Sequence, residues 1–113
     1  MAGTFELKKT KAGFSFNLLA SNKKVILSSE VYETKRAAQN GIASVQKNAG
    51  NESRFEIRQS KKGQPYFVLL ASNQVVIGKS QMYSARKGCR GGVQSVKRHA
   101  SGAKVIDLTD SSK

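Results

Sequence analysis

The chain has 113 residues, with 20 Lys and Arg against 7 Asp and Glu, and a formal net charge of +13. Its length corresponds to about one domain, and its hydrophobic content of 38% is too high for a disordered chain. There is no apolar run of the roughly 20 residues that a membrane helix needs, no apolar signal-peptide core near Met1, and only one cysteine. These features predict a globular protein of the cytoplasm with no cofactor and no metal site.

Three short segments with strand character open the chain. Phe5–Lys8 and Phe14–Leu18 alternate apolar and polar residues, and Val25–Leu27 is a third apolar run. The turns between them, at Lys11–Gly13 and Ser21–Asn22, are short. Short connections favour an antiparallel meander.

The hydrophobic period then changes to that of a helix. Thr34 is a candidate N-cap, and Ala38, Ile42, Val45 and Ala49 follow at spacings of four, three and four residues. This stripe predicts an amphipathic helix that packs on the three strands.

The same pattern returns about 51 residues later. Leu18–Asn22 is repeated as Leu69–Asn73, and the second helix has Ser84 as its candidate cap. The apolar stripe of the second helix consists of Cys89, Val93, Val96 and Ala100. Each helix also contains a glycine at the same place, Gly41 and Gly92, which predicts a close approach of helix to sheet beside Tyr32 or Tyr83.

A last strand-like run, Val105–Leu108, follows the second helix. The predicted fold is α+β: two tandem strand-strand-strand-helix repeats form a pseudo-twofold antiparallel sheet with two helices packed on it, plus a C-terminal strand. We expect one compact domain over residues 1–113, with repeat 1 at about 4–50, repeat 2 at about 54–101 and the terminal strand at about 103–109. Such a chain is expected to be a monomer with internal pseudo-twofold symmetry.

These motifs resemble the YegP-like family of small bacterial proteins. The resemblance rests on the Phe-Glu-Leu strand, the Leu-Leu-Ala-Ser-Asn turn, the Ser-x-x-Tyr segments at Ser29–Tyr32 and Ser80–Tyr83, and the Gly-Ile-Ala-Ser-Val segment at Gly41–Val45. It covers about Thr4 to Ala100. It implies a strand-strand-strand-helix-strand unit in which terminal strands are exchanged between two units. It implies no activity, so no site residue is inherited.

The positive charge is concentrated in the second half. Between Arg54 and Lys104 there are eleven basic residues and one acidic residue, Glu56. The candidate polyanion-binding residues are Arg86, Lys87, Arg90, Lys97 and Arg98 of the second helix, with Lys61 and Lys62 of a turn. Arg86, Arg90 and Lys97 share one side of the helix, where like charges repel unless an anion such as phosphate offsets them. The alternative is a solvated basic face.

Two further patterns have a functional and a structural interpretation. Gly88–Gly91 matches the G-x-x-G clamp of some RNA-binding modules, but it lies inside the second helix pattern, which favours close packing or a weakened first turn of the helix. Tyr66 and Arg58 are expected on the open face of the sheet, where an aromatic side chain beside a basic one can stack a base. Ordinary cross-strand packing, or burial at the interface of a dimer, is the alternative we favour.

The sequence gives little support for catalysis. His99 is the only histidine, Cys89 lies on the apolar stripe, and Glu6 and Glu56 are expected to form cross-strand ion pairs. We therefore predict a non-enzymatic protein with no membrane partner. Two functions stay open: nucleic-acid binding through the second basic helix, or a protein-interaction or stress-associated accessory role in which the charge is incidental.

Overall fold

The computed structural model describes residues 3–109. Within this range two three-stranded meanders are each followed by a helix, and a seventh strand follows the second helix. The elements are β1 (Thr4–Thr10), β2 (Gly13–Leu19), β3 (Val25–Ser28), α1 (Lys35–Asn48), β4 (Phe55–Gln59), β5 (Pro65–Leu70), β6 (Val76–Lys79), α2 (Arg86–Ala100) and β7 (Lys104–Asp107). A short 3-10 turn, Glu52–Arg54, leads from α1 into β4.

The seven strands form one sheet in the order β4-β5-β6-β3-β2-β1-β7. The two meanders meet where β3 and β6 pair antiparallel at Ser28 and Lys79. This arrangement confirms the predicted α+β fold of two tandem repeats. β7 comes from the second repeat and pairs with β1 of the first, so the terminal strand is exchanged between the repeats.

The sheet is mixed, because β7 runs parallel to β1 whereas every other neighbouring pair is antiparallel. The reason is the direction in which α2 returns the chain. The Gly3 amide donates a hydrogen bond to the His99 carbonyl at 3.0 Å, which places the end of α2 beside the start of β1. β7 therefore sets out from the same end of the sheet as β1.

Both helices pack on one face of the sheet and share one hydrophobic core. The helix stripes of both halves pack on strand residues as predicted, since this core contains Ile42 and Val45 with Phe16 and Leu18, and Val93 and Val96 with Phe67 and Leu69. α1 also contacts β5 and β6, and α2 also contacts β2 and β3. The helices thus reach across the seam and hold the two repeats together.

In both repeats the glycine inside the helix lies against the tyrosine that precedes the helix, as predicted. A Cβ on Gly41 would lie 2.6 Å from the Tyr32 hydroxyl oxygen, and a Cβ on Gly92 would collide with the Tyr83 hydroxyl. Each tyrosine ring stacks on a core phenylalanine, with Phe67 and Tyr83 centroids 6.3 Å apart. Only glycine lets the helix approach these rings so closely.

The helix starts differ between the repeats. The Thr34 side chain accepts a hydrogen bond from the Ala37 amide at 3.0 Å, as predicted for an N-cap. The prediction for Ser84 is wrong, because Ala85 occupies the cap position and forms no side-chain cap bond. The repeat spacing explains the error, since residue 85, and not residue 84, lies 51 positions after Thr34.

Candidate nucleic-acid interface

The outer surface of α2 carries most of the predicted polyanion-binding residues. Cys89, Val93, Val96 and Ala100 point into the core, which leaves the polar positions of the helix outside. The exposed cations of α2 are Arg86, Lys87, Arg90 and Arg98. We call these four residues the α2 basic surface. Among residues 3–109, none of the four forms an ion pair with a carboxylate.

Lys97, also a predicted polyanion-binding residue, is not among these exposed and unpaired cations. Its side chain is 26% exposed and its Nζ lies 3.0 Å from Glu52 Oε1. This hydrogen bond lowers the pKa of the Glu52 carboxyl below its ordinary value. Glu52 lies 45 residues away in sequence, and the turn after α1 brings it to the side of α2. Lys97 therefore joins the two repeats.

The Lys61–Lys62 turn lies at the same end of the molecule as the start of α2. The turn connects β4 to β5 and is closed by a hydrogen bond from the Ser60 amide to the Gln64 carbonyl. The Tyr83 amide donates to the Pro65 carbonyl at 2.8 Å, so the segment that leads into α2 runs beside the base of this turn. Both lysines are exposed. The structure thus brings the turn and the first residues of α2 to one basic end.

The start of α2 combines two cations with a helix end that has no side-chain cap. Arg86 and Lys87 occupy the first turn, where the helix dipole is positive, and this turn contains no acidic residue. Ala85 supplies no capping oxygen, so the first amide groups of α2 lack the bond that Thr34 gives to α1. Cations and unsatisfied amides at one helix end together attract a phosphate group.

The G-x-x-G segment, Gly88–Gly91, is helical over its whole length. It therefore lacks the loop conformation that a nucleotide clamp between two helices requires. Cys89 within it is buried, and burial raises the pKa of the thiol above its ordinary value. Only Cys89 packs into the core, because a Cβ on Gly91 would meet nothing within 4 Å and one on Gly88 would make an ordinary contact with Tyr83 at 3.4 Å.

Tyr66 and Arg58 lie on the sheet face opposite the helices, as predicted, and they pair across β4 and β5. A groove of about 570 Å³ crosses this face at the seam between the repeats. The Nζ of Lys79, which the sequence reasoning missed, lies 5.1 Å from the centre of the Tyr66 ring. Because Lys79 already covers this ring, the groove is a weaker candidate for base stacking than a bare aromatic face. It lies on the other side of the sheet from the α2 basic surface.

The candidate catalytic groups have structural partners. The Nδ1 of His99 is 2.7 Å from the Ser95 carbonyl oxygen within α2. Glu6 and Glu56 do form ion pairs, but with Lys8 and Arg58 two residues along the same strand, which corrects the predicted cross-strand pairing. The reason is that residues two apart on a strand share one face.

The described residues hold neither a cluster of metal ligands nor a helix that could span a membrane. Across residues 3–109, no group of three or more His, Cys, Asp or Glu side chains is arranged to hold a metal ion. In the same range, neither helix is long and apolar enough to cross a membrane. α2, the longer of the two, has 15 residues and carries five Lys and Arg.

The chain matches a known family twice. The family described as "Domain of unknown function (DUF1508)" matches residues 10–56 and again residues 60–107. A UPF0339 protein of Mannheimia succiniciproducens is 50% identical over 110 residues, which is 96% of this chain and 97% of that protein. The UPF0339 protein YegP of Yersinia pestis is 47% identical over 108 residues, which is 95% of this chain and 96% of the relative. The resemblance drawn from the sequence motifs is confirmed.

Solved structures agree with the fold. The solution NMR structure of YegP from E. coli, described as a protein of unknown function, superposes with a TM-score of 0.91 at 42% identity, over 97% of this chain and 96% of that one. A UPF0339 protein of Shewanella oneidensis gives a TM-score of 0.90 at 43% identity, over 96% and 93% of the two chains. None of these descriptions points to a catalytic activity.

Proposed function

This chain belongs to the DUF1508 family, and because no function is established for that family, we propose one from the geometry: the protein binds nucleic acid through the α2 basic surface. The observation that carries the proposal is that Arg86, Lys87, Arg90 and Arg98 project from one helix with no paired carboxylate among the described residues. Four like charges on 13 consecutive residues repel one another, and a row of phosphates removes that repulsion.

The first repeat supports this interpretation by contrast. Lys35, which precedes Arg86 by 51 residues, is paired with Asp107 at 2.5 Å. The position that corresponds to Arg90 is Gln39, which is uncharged. The two helices occupy equivalent places in the fold but differ in the charge that they leave unpaired. A binding surface confined to the second repeat accounts for this difference.

The Lys61–Lys62 turn extends the surface at the amino end of α2. Both lysines are exposed, and the corresponding turn of the first repeat, Lys11–Gly13, has a single lysine. A phosphate backbone that passes the start of α2 meets this turn next. The contacts are with phosphate groups, so we expect binding with little sequence preference.

The experiment is a salt titration with matched variants. Binding of a fluorescent duplex and of a single-stranded RNA is followed by anisotropy between about 50 and about 200 mM salt. The test variant carries Lys87→Gln, Arg90→Gln and Arg98→Gln. The control carries Lys11→Gln, Arg36→Gln and Lys47→Gln, which removes three exposed cations from the first repeat.

Each lost phosphate contact lowers the slope of log affinity against log salt by about one unit. We therefore expect a clearly flatter salt dependence for the α2 variant and nearly unchanged behaviour for the control. Equal losses in both variants would mean diffuse attraction by net charge. If the unmodified protein binds neither nucleic acid at about 50 mM salt, the proposal is wrong, and the protein-interaction alternative remains.

A further inference from the structure

The two edges of the sheet differ, although the two repeats place equivalent strands there. β7 covers the outer edge of β1, whereas β4, the equivalent strand of the second repeat, is the last strand at the other end. The chain after α1 passes through the Glu52–Arg54 turn directly into β4, so the first repeat has no terminal strand to place beside β4. Within residues 3–109, one of two equivalent strand positions is thus filled and the other is open.

The backbone of β4 is arranged to accept a strand there. In the filled position, the Leu108 amide donates to the Leu7 carbonyl at 2.8 Å. Ile57 occupies the equivalent place, since Leu7 pairs with Phe16 and Ile57 pairs with Phe67. The Phe67 amide donates a hydrogen bond to the Ser80 side-chain oxygen, and the Phe67 carbonyl accepts one from the Ser80 amide. Because bonding direction alternates along a strand, the amide and carbonyl of Ile57 point to the open edge.

The side chains show the same difference. Phe5 and Leu7 on β1 are fully buried. Phe55 and Ile57, their equivalents on β4, are only partly buried. Together with Val93 of α2 they line a groove of about 380 Å³ that runs along the edge of β4. We call this groove and the outer edge of Phe55–Gln59 the β4 edge site.

The charge at the site indicates the chemistry of the missing strand. In the filled position Asp107 lies opposite Leu7 and is paired with Lys35 at 2.5 Å. Arg86 holds the position of Lys35 in the second repeat, and within residues 3–109 no carboxylate is paired with it. The β4 edge site therefore combines an apolar groove with open backbone groups. Arg90 and Glu52, which is paired with Lys97, are the charged residues that line the groove. Arg86 lies at the helix position from which Lys35 reaches its carboxylate in the first repeat.

We propose that the β4 edge site binds an extended segment of a partner protein, which adds to the sheet as an eighth strand parallel to β4. The register of β7 defines the segment: an apolar residue stands opposite Phe55, as Val105 stands opposite Phe5, and an Asp or Glu stands opposite Ile57. The carboxylate meets Arg86. The recognition motif is therefore apolar-x-acidic, read in the same chain direction as β4.

A partner protein is a better occupant than a second copy of this chain. The β7 strand of a second copy is already engaged on its own β1, and moving it would open an equivalent edge. Two chains of net charge +13 also repel each other. This interaction uses a different ligand from nucleic-acid binding, although Arg86 belongs to both surfaces and Arg90 borders the groove.

The test uses the chain's own strand as the probe. A synthetic peptide with the sequence of residues 103–109, blocked at both ends, is added to the isotope-labelled protein, and amide NMR shifts are followed. We expect saturable shifts in Phe55–Gln59 and in Val93, with no comparable change in β1. An Asp→Asn peptide and the Arg86→Gln protein should each bind about three- to fivefold more weakly, which corresponds to the loss of an exposed ion pair.

Two N-methylated peptides separate strand addition from general attraction. Methylation of the Leu108 amide removes the donor that bonds to the neighbouring strand in the filled position, so it should abolish binding. Methylation of the Asp107 amide, which points the other way along an alternating strand, should leave binding nearly unchanged. Arg36→Gln serves as the charge-matched protein control, because Arg36 is exposed and lies in the first repeat.

Several results would overturn the proposed strand addition. Shifts confined to charged surface residues, equal effects of the two methyl groups, or no shift in β4 at millimolar peptide would overturn the proposal. Concentration-dependent self-association that protects the β4 amides without peptide would overturn it as well, in favour of a second copy. Because the salt titration uses a different ligand and the Lys87, Arg90 and Arg98 variant, either proposal can fail while the other stands.

Discussion

Two adjacent glycines in α2 provide a sharp test of how the helix packs on the sheet. A Cβ on Gly91 meets nothing within 4 Å. A Cβ on Gly92 would collide with the Tyr83 hydroxyl and lie 2.9 Å from Phe67 Cε2. Both positions are inside the same helix, so alanine gains about 1 kcal/mol of helix propensity at each. The difference between the two variants therefore isolates the steric contact.

We expect Gly91→Ala to stabilise the protein by about 1 kcal/mol. At Gly92 the overpacking costs about 1–3 kcal/mol, because Tyr83 is stacked on the buried Phe67 and has little room to move. Gly92→Ala should thus be about 1–3 kcal/mol less stable than Gly91→Ala. Urea unfolding followed by far-UV circular dichroism measures this difference directly. Equal stabilisation by both substitutions would refute the proposed close approach of α2 to Tyr83.

Two further predictions concern the core and the exchanged strand. Val45→Ala and Val96→Ala should each lower the free energy of unfolding by about 1–3 kcal/mol, because both side chains are fully buried. The control Val75→Ala should change it by less than about 0.5 kcal/mol, because Val75 is 54% exposed. A core variant that leaves the denaturant unfolding curve unchanged would contradict the packing. The hydrogen bond from Lys35 lowers the pKa of Asp107 from 3.8 to about 2, so its contribution to stability is present above pH 3.8 and is lost as the pH falls through about 2. Protection factors of the β7 amides, which are corrected for the intrinsic pH dependence of exchange, should therefore decrease over this interval, and carboxyl NMR of the Lys35→Gln variant should find an Asp107 pKa closer to 3.8.

Most of the fold was predictable because its local signals agree with one another. Alternating residues such as Phe14–Leu18 can bury one face only as a strand, and the stripe from Ala38 to Ala49 can do so only as a helix. The same patterns recur in the second half, so each strand and each helix is predicted by two copies of its pattern. The tandem repeat also predicted that Gly41 and Gly92 serve one purpose, which the contacts with Tyr32 and Tyr83 confirm.

The features that the sequence did not reveal depend on contacts between distant segments. Lys97 was grouped with Arg86 and Arg90 because helical spacing places them together, but its pairing with Glu52 depends on the path of the chain after α1. The parallel direction of β7 depends on the place where α2 ends, which no local pattern encodes. The open edge of β4 became visible only once β7 was found on β1.

The sequence predicts the cations of α2, but it does not predict that the Lys61–Lys62 turn lies beside them. Arg86, Lys87, Arg90 and Arg98 follow from sequence position and helical period, and their exposure agrees with that expectation. The position of the Lys61–Lys62 turn beside the start of α2 required the bond between Tyr83 and Pro65.

The most direct measurement is an amide NMR titration of the protein with a short duplex or RNA at about 50 mM salt. The account predicts that the largest shifts fall on the exposed residues of α2 and on Lys61 and Lys62, while α1 and the β1–β2 turn change little. Shifts of equal size on α1 and α2 would contradict it, because attraction by net charge alone does not distinguish the two repeats.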